Sequence, residues 1–373
     1  MKLRQNLRRS VLVTAVAGAL AALSAAASAD IRIAIAGPIT GPVAQYGDMQ
    51  MIGAEMAIER INAAGGIKGE KLVGVKMDDA CEPKQAPTVA NKVVNDGIKY
   101  VVGHLCSGAT KPASAIYDEN DIVMVTPAAT NDAITAEGLK MVFRTIGKDS
   151  QQGPTAGRFI AATLKPKALA IIHDKQSYGQ GIADQVRVTA EAAGIKPVMF
   201  EGINKGDTDF SALITKLKQA GADVIYYGGY HPELGLLLRQ AAEQGLKAKW
   251  MGPEGVGNKD LNAIAGDAVE GLYVTLPQDF SSEPANAALV QAFKDKKQDP
   301  TGPFVLTSYA AVQVIADSIA AVGNDPKKVA EHLHKSSFKT PIGELAFTAS
   351  GDLKDFKFVV YEWHKDASKT PAQ

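Results

Sequence analysis

The chain has 373 residues with 40 basic and 40 acidic side chains; the four charged residues before Asp30 are all basic, which leaves 36 basic against 40 acidic over the remaining 344 residues. A net charge near −4 offers no electrostatic footprint for nucleic acid or for an anionic membrane surface. A length of 344 residues exceeds what one hydrophobic core ordinarily supports, so two lobes are expected.

Lys2, Arg4, Arg8 and Arg9 precede an apolar run from Val11 to Leu23, and Ala27-Ser28-Ala29 supplies a small-x-small cleavage site. This pattern predicts a cleavable secretory signal peptide over 1–29 and a periplasmic destination. The run is shorter than the roughly 20 apolar residues needed to span a bilayer, and no later stretch is read as long enough either. No cysteine stands at the cleavage point, so a lipid anchor there is not expected, and Arg8-Arg9 is read as part of an ordinary signal. In an oxidising compartment the only two cysteines, Cys81 and Cys106, read as one disulfide worth about 3 to 4 kcal/mol on the chain-entropy model.

Ile31 to Gly37 reads as a buried strand, Thr40 to Gly47 as a loop ending in an aromatic, and Met51, Ala54, Ile58 and Ile61 as a helix face closed by Gly65-Gly66. Strand, helix and strand then alternate: Leu72–Met77, Lys84–Asn95, Tyr100–Val102, a helix from Thr110 to Tyr117, and Ile122–Val125. A second series follows Val142–Thr145, with helices at Pro154–Ala162, Ala183–Ala193, Phe210–Ala220 and Glu233–Gln244 between strands at Leu169–Ile172, Pro197–Phe200, Val224–Tyr227 and Trp250-Met251. Beyond a strand at Gly271–Thr275 come long helices near Ala285–Lys297 and Val305–Val322, a shorter one after Pro326, and a β segment carrying Gly351-Asp352 that ends at Phe358–Trp363. Such alternation implies α/β architecture, a mostly parallel sheet flanked by helices on both faces in each series.

The stretch from Tyr100 to Thr110 organises the rest. Its strand breaks into small and hydroxyl residues before a helix, so Ser107 and the following backbone N–H groups gather at a helix N-terminus, a site for an anion such as a carboxylate. Thr126-Pro127-Ala128-Ala129-Thr130 ends the next strand in the same way, at the sheet edge where ligands of open α/β sheets bind. Ser107 and Thr130 would serve equally as plain helix caps. Catalysis has no visible engine: there is no phosphate loop, no G-x-G-x-x-G, no metal spacing, and Leu105 occupies a position where a nucleophile elbow requires glycine. His104, His173 and His231 are read as core or surface side chains, and no metal or cofactor is expected. A zwitterionic amino acid, by contrast, finds donors at Ser107, acceptors at Glu254, the Ala128 carbonyl and Thr130, and walls at Tyr46, Tyr178, Tyr230 and Phe304.

The segments Gly41–Asp48, Asn62–Gly69, Asp78–Ala86, Asn91–Ser107, Thr126–Thr130, Tyr226–Glu233 and Met251–Val256 together resemble the periplasmic branched-chain amino acid binding proteins, over nearly all of the mature chain. The resemblance implies a type I periplasmic binding protein whose two Rossmann-like lobes are crossed three times and discontinuous, with lobe 1 at 30–148 plus 277–357 and lobe 2 at 149–276 plus 358–373. It also implies a Cys81–Cys106 disulfide and a carboxylate held by Ser107 and Thr130. The ammonium would be held by Ala128, Thr130 and Glu254, and the side-chain pocket lined by Tyr46, Leu105, Cys106, Tyr178, Tyr230 and Phe304. The implied partners are a leucine-type ligand and the permease and ATPase subunits of an ABC importer, with a monomer as the default. Gly108-Ala109 after Ser107 departs from the hydroxyl residues expected there. Amides, urea or aromatic acids as ligands, and a sensor role without transport, remain open from sequence.

Overall fold

The computed structural model describes residues 30–372, so the expected signal peptide at 1–29 lies outside the described residues. The first sheet has the order β2-β1-β3-β4-β5, all parallel, formed by β1 (Ile31–Gly37), β2 (Leu72–Asp78), β3 (Tyr100–Gly103), β4 (Val123–Thr126) and β5 (Val142–Arg144). Burial on both faces explains its apolar strands. Along β1, Ile31, Ile33 and Ile35 face one core while Ala34 and Ala36 face the other, the period of two expected of a strand.

The Ala34 side is covered by α2 (Ala86–Asn95) and α3 (Ser107–Glu119), the Ile33 side by α1 (Ala44–Ala63), α10 (Val305–Val322) and α11 (Pro326–Lys335). Helix α10 is long and apolar enough to cross a membrane by length and composition alone, which corrects the expectation that no stretch after the signal would be. Its Val305, Ala311, Val312 and Ile315 are fully buried against α1 and β1, so it is a core helix.

The second sheet runs β14-β13-β10-β9-β8-β6-β7. It comprises β6 (Leu169–His173), β7 (Met199–Gly202), β8 (Val224–Gly228), β9 (Lys249–Gly252), β10 (Leu272–Pro277), β13 (Phe358–Trp363) and β14 (Lys369–Pro371). From β10 to β7 the strands are parallel, while β13 and β14 are antiparallel additions at one edge. Helices α4 (Asp149–Phe159) and α5 (Ser177–Ala192) pack on one face, α6 (Ser211–Gln219), α7 (His231–Glu243) and α8 (Lys259–Ala265) on the other. After β10 the chain returns to the first lobe through α9 (Ala287–Asp295) and α10, adds the hairpin β11 (Ser337–Thr340) and β12 (Gly343–Ala346), and crosses again into β13. Three crossings therefore join the lobes, near 144–149, 277–280 and 353–358.

Several helices start earlier than their apolar spacing predicts: α3 at Ser107 rather than Thr110, α4 at Asp149 rather than Pro154, α5 at Ser177 rather than Ala183. The first turns of α4 and α5 also meet the other lobe, the Ser150 hydroxyl donating to Asp132 and the Ser177 carbonyl accepting from Asn131, so apolar periodicity begins only further in. Gly351 and Asp352 belong to no strand; Asp352 pairs instead with Arg144 and Lys148, fastening the first crossing to the third.

Candidate functional site

The order of the first sheet reverses between β1 and β3 and that of the second between β6 and β8, and open α/β sheets hold ligands at such points, beyond the carboxyl ends of the strands. From the first lobe the loops after β1, β3 and β4 bring Tyr46, Leu105 to Ser107 and Ala128 to Thr130; from the second, those after β6, β8 and β9 bring Tyr178, Tyr230 and Glu254. The two edges face each other across a small cavity lined by Leu105, Ser107, Ala128, Tyr178, Tyr230, Glu254, Gly255 and Phe304. Seven of the ten expected ligand residues therefore share one lining. Tyr46 stands just behind it, its ring 5.2 Å from Phe304 and 6.5 Å from Tyr230. Cys106 and Thr130 are buried next to lining residues without belonging to the wall.

Neither hydroxyl is a helix cap. Cys106 occupies the cap position of α3 and makes no side-chain cap bond, while the Ser107 Oγ accepts the Asn131 N–H at 3.3 Å from the β4 loop. Thr130 Oγ1 is buried without a partner, and the cap of the following turn is Asn131, whose Oδ1 accepts the Ala133 N–H. Cys81 and Cys106 are joined in a disulfide with Cα atoms 5.5 Å apart, tying the loop after β2 to the start of α3.

The acceptors lie opposite. Glu254 is 1 % exposed, and burial pushes its carboxyl up to about 7 against the opposing pull of Gln152, Tyr178 and Thr130. Its Oε2 has no hydrogen-bond partner, nor have Asp149 Oδ1, Gln152 Oε1 and the Tyr226 hydroxyl. Asp149, fully buried beside Thr130 and Glu254, is likewise pushed up by burial. Buried polar atoms are rarely left unpaired, so this cluster of unpaired acceptors is suited to a donor-rich cation. Asp149, Gln152, Tyr226 and Gly255 were not singled out from the sequence; the polar run Lys148–Gln152 at the carboxyl end of β5 was the signal available for the first two.

Tyr178 does more than wall the cavity. Its hydroxyl accepts the Gly255 N–H at 2.9 Å and so fixes the turn that carries Glu254. Gly255 is required there, because a Cβ would come within 2.7 Å of the Tyr178 ring and 2.8 Å of the Gly229 carbonyl. Contacts across the cleft close it: Tyr46 Oη donates to the Glu254 carbonyl at 3.3 Å and Asn131 Nδ2 to the Ser177 carbonyl at 2.7 Å, while Lys205 pairs with Glu82 and Lys259 with Asp299. A larger cavity of about 480 Å³ lies beside the second crossing, but its two lysines are committed, Lys259 to Asp299 and Lys369 to the Thr301 carbonyl. His104 is buried and bonded to Asp79 and Tyr117; His173 accepts the Lys175 N–H. Among the described residues no group of three or more His, Cys, Asp or Glu is placed to hold a metal ion.

A family model described as a periplasmic binding protein matches residues 30–368. The chain is 59 % identical over 367 residues to a leucine-, isoleucine-, valine-, threonine- and alanine-binding protein of Pseudomonas aeruginosa, covering 98 % of each chain. Two solved structures are similar in fold. One is a leucine binding protein of Thermotoga maritima, with a TM-score of 0.84 at 26 % identity over 92 % of this chain and 98 % of that one. The other is a branched-chain amino acid transporter substrate binding protein of Streptococcus pneumoniae in complex with isoleucine, with a TM-score of 0.83 at 25 % identity over 92 % and 99 %.

Proposed function

The chain belongs to the periplasmic binding protein family, and from that membership we propose that it captures branched-chain L-amino acids, leucine, isoleucine and valine, for an ABC importer. The observation that carries this reading is the division of the cavity: Ser107 and the first N–H groups of α3 at one end, and Glu254 in the wall with the unpaired buried oxygens of Thr130 and Asp149 behind it at the other. A zwitterion satisfies both at once. Its carboxylate meets Ser107 and Thr130 at the positive end of a helix, its ammonium meets the Ala128 carbonyl, Thr130 and Glu254 with Asp149 behind them, and its side chain meets Leu105, Tyr46, Tyr178, Tyr230 and Phe304.

Closure of the lobes is the output. The proposed lobes, 30–148 with 277–357 and 149–276 with 358–372, exchange crossings within the 277–280 segment and near 148 and 357, so both sides move about one hinge. A permease with its ATPase recognises the two lobes only when they are together. The reading includes a monomer that binds without turnover, carries no cofactor, contacts no nucleic acid and is delivered to the periplasm by residues 1–29. Molecules lacking the amino or carboxyl group are rejected because they leave buried groups unpaired, whereas one methylene is worth only about 1 to 3 kcal/mol.

Calorimetric titration of the mature chain, unfolded and refolded to strip bound ligand, against leucine, isoleucine, valine, phenylalanine and acetamide tests it. Tight one-to-one binding of the three branched amino acids, with phenylalanine weaker and acetamide silent, is expected. Silence from all three rejects the reading and redirects the search to amides and aromatic acids.

A further inference from the structure

His231 stands at the first position of α7, in the second lobe, and is 1 % exposed. Part of what covers it comes from the other lobe: the Tyr46 ring meets the imidazole edge-on, with centroids 5.5 Å apart at 80°. The same Tyr46 packs on Phe304 and reaches the Glu254 carbonyl, so it is the residue through which the first lobe touches both the cavity wall and His231. The His231 Nδ1 is buried without a partner. Nothing compensates a second proton there. A helix N-terminus repels a cation, and among the described residues no carboxylate is hydrogen-bonded to the ring.

We propose that His231 is a positioning residue for lobe closure: the neutral imidazole seats Tyr46 as the cleft shuts, and a proton on it holds the cleft open. The inference rests on the binding reading above, because only a closing cleft takes His231 from water into this contact. Burial drives His231 down to about 4 in the closed form, whereas an exposed histidine titrates near 6.5. The sign follows. A group whose affinity for protons falls on closure releases a proton when the ligand binds, and closure weakens as pH falls below the open-state value.

The other charged groups at this edge are Glu233 on α7 itself, Asp174 after β6, Lys205 before α6 with its partner Glu82 from the first lobe, and Glu254 after β9. Glu233 accepts the Gly206 N–H within its own lobe. Asp174, raised to about 7 by burial, accepts the Gln176 N–H and lies against Gly179, also within its own lobe. Lys205 and Glu82 pair with each other across the cleft. Any carboxyl buried by closure takes protons up, the opposite sign to His231.

The test measures leucine affinity at pH 8 and pH 5.5 for the natural chain, His231→Phe and His231→Gln; phenylalanine keeps the ring against Tyr46 without a titratable nitrogen. For values of about 4 and 6.5 the loss of leucine affinity between pH 8 and pH 5.5 should be roughly tenfold greater for the natural chain than for His231→Phe, and the natural chain should release about 0.9 proton more per leucine than that variant at pH 5.5, read from titrations in buffers of different ionisation enthalpy. His231→Phe should lose both effects. His231→Gln reads the same loss in a polar side chain if phenylalanine disturbs the fold. Equal pH ratios in the natural chain and the variants, or equal proton release by them at pH 5.5, overturn the proposal. Failure of the natural chain to bind leucine at pH 8 instead sinks the function on which it rests.

Discussion

Replacing Glu254 with glutamine removes one charge from the cavity wall and almost no volume, which makes it the sharpest probe of the ammonium site. Two effects oppose each other. Burial raises the carboxyl from 4.5 to about 7, so removing the charge relieves the closed, unliganded form of about 3 kcal/mol at 1.36 kcal/mol per pH unit. Against that, an ammonium at hydrogen-bond distance, about 3 Å, loses an attraction of about 5 kcal/mol at an effective dielectric constant near 20. The attraction wins by about 2 kcal/mol, so leucine should bind roughly 30-fold more weakly to Glu254→Gln. The assay is titration calorimetry at pH 7.5 with leucine and with 4-methylpentanoate, which is leucine without its amino group. The natural chain should prefer leucine strongly, and the variant should narrow that preference from the leucine side alone. An unchanged leucine affinity would refute the assignment of the ammonium to Glu254. Equal losses for both ligands would show that the carboxylate acts on the shape of the cavity rather than on the charge of the ligand.

Tyr178→Phe leaves the Gly255 N–H unpaired in a dry wall, which costs about 1 to 3 kcal/mol; the melting temperature should fall by several degrees, and leucine should bind more weakly because the turn that carries Glu254 is no longer fixed. Lys205→Glu places like charges across the cleft at Glu82; because the pair is partly exposed, leucine affinity should fall only a few-fold, and the exchange Lys205→Glu with Glu82→Lys should restore it. If the double exchange is no better than the single one, the pair contributes nothing to closure. Asp352→Asn strips the fully buried Arg144 of its carboxylate and should lower stability by about 3 to 5 kcal/mol in urea unfolding, an effect that a merely superficial pair would not produce.

How much of this was legible beforehand depended on whether a segment faces its own core. The Ile-x-Ile-x-Ile of β1 and the apolar length of α10 read directly as a strand and a helix, and α10 spans the expected residues Val305–Val322. Segments that face the cleft carry no such period. The first turns of α3, α4 and α5 therefore looked like loops, and with them Asp149 and Gln152 went unnoticed, although both end beside Glu254. Ser107 and Glu254 were found because hydroxyl and carboxylate residues stand alone at strand ends, where chemistry and position can be read together. Arg144 could not be: its partner Asp352 lies more than 200 positions away, and only the fold brings the third crossing against the first. His231 was read as packing, as local sequence allows, since the ring that covers it belongs to the other lobe.

The discontinuity of the first lobe sets a timetable. Ile33 and Ile35 of β1 share one hydrophobic core with Val312 and Ile315 of α10 and Leu333 of α11, helices that lie near the far end of the chain. At roughly 5 to 20 residues synthesised per second, about 15 to 60 s separate the emergence of β1 from that of the layer that covers it. During that interval only α1 covers the Ile33 face of the five-stranded sheet, and its core is incomplete. The first lobe of the newborn chain therefore stays incomplete until almost all of the chain exists, and a fragment cut before Val305 would lack the layer that closes its core.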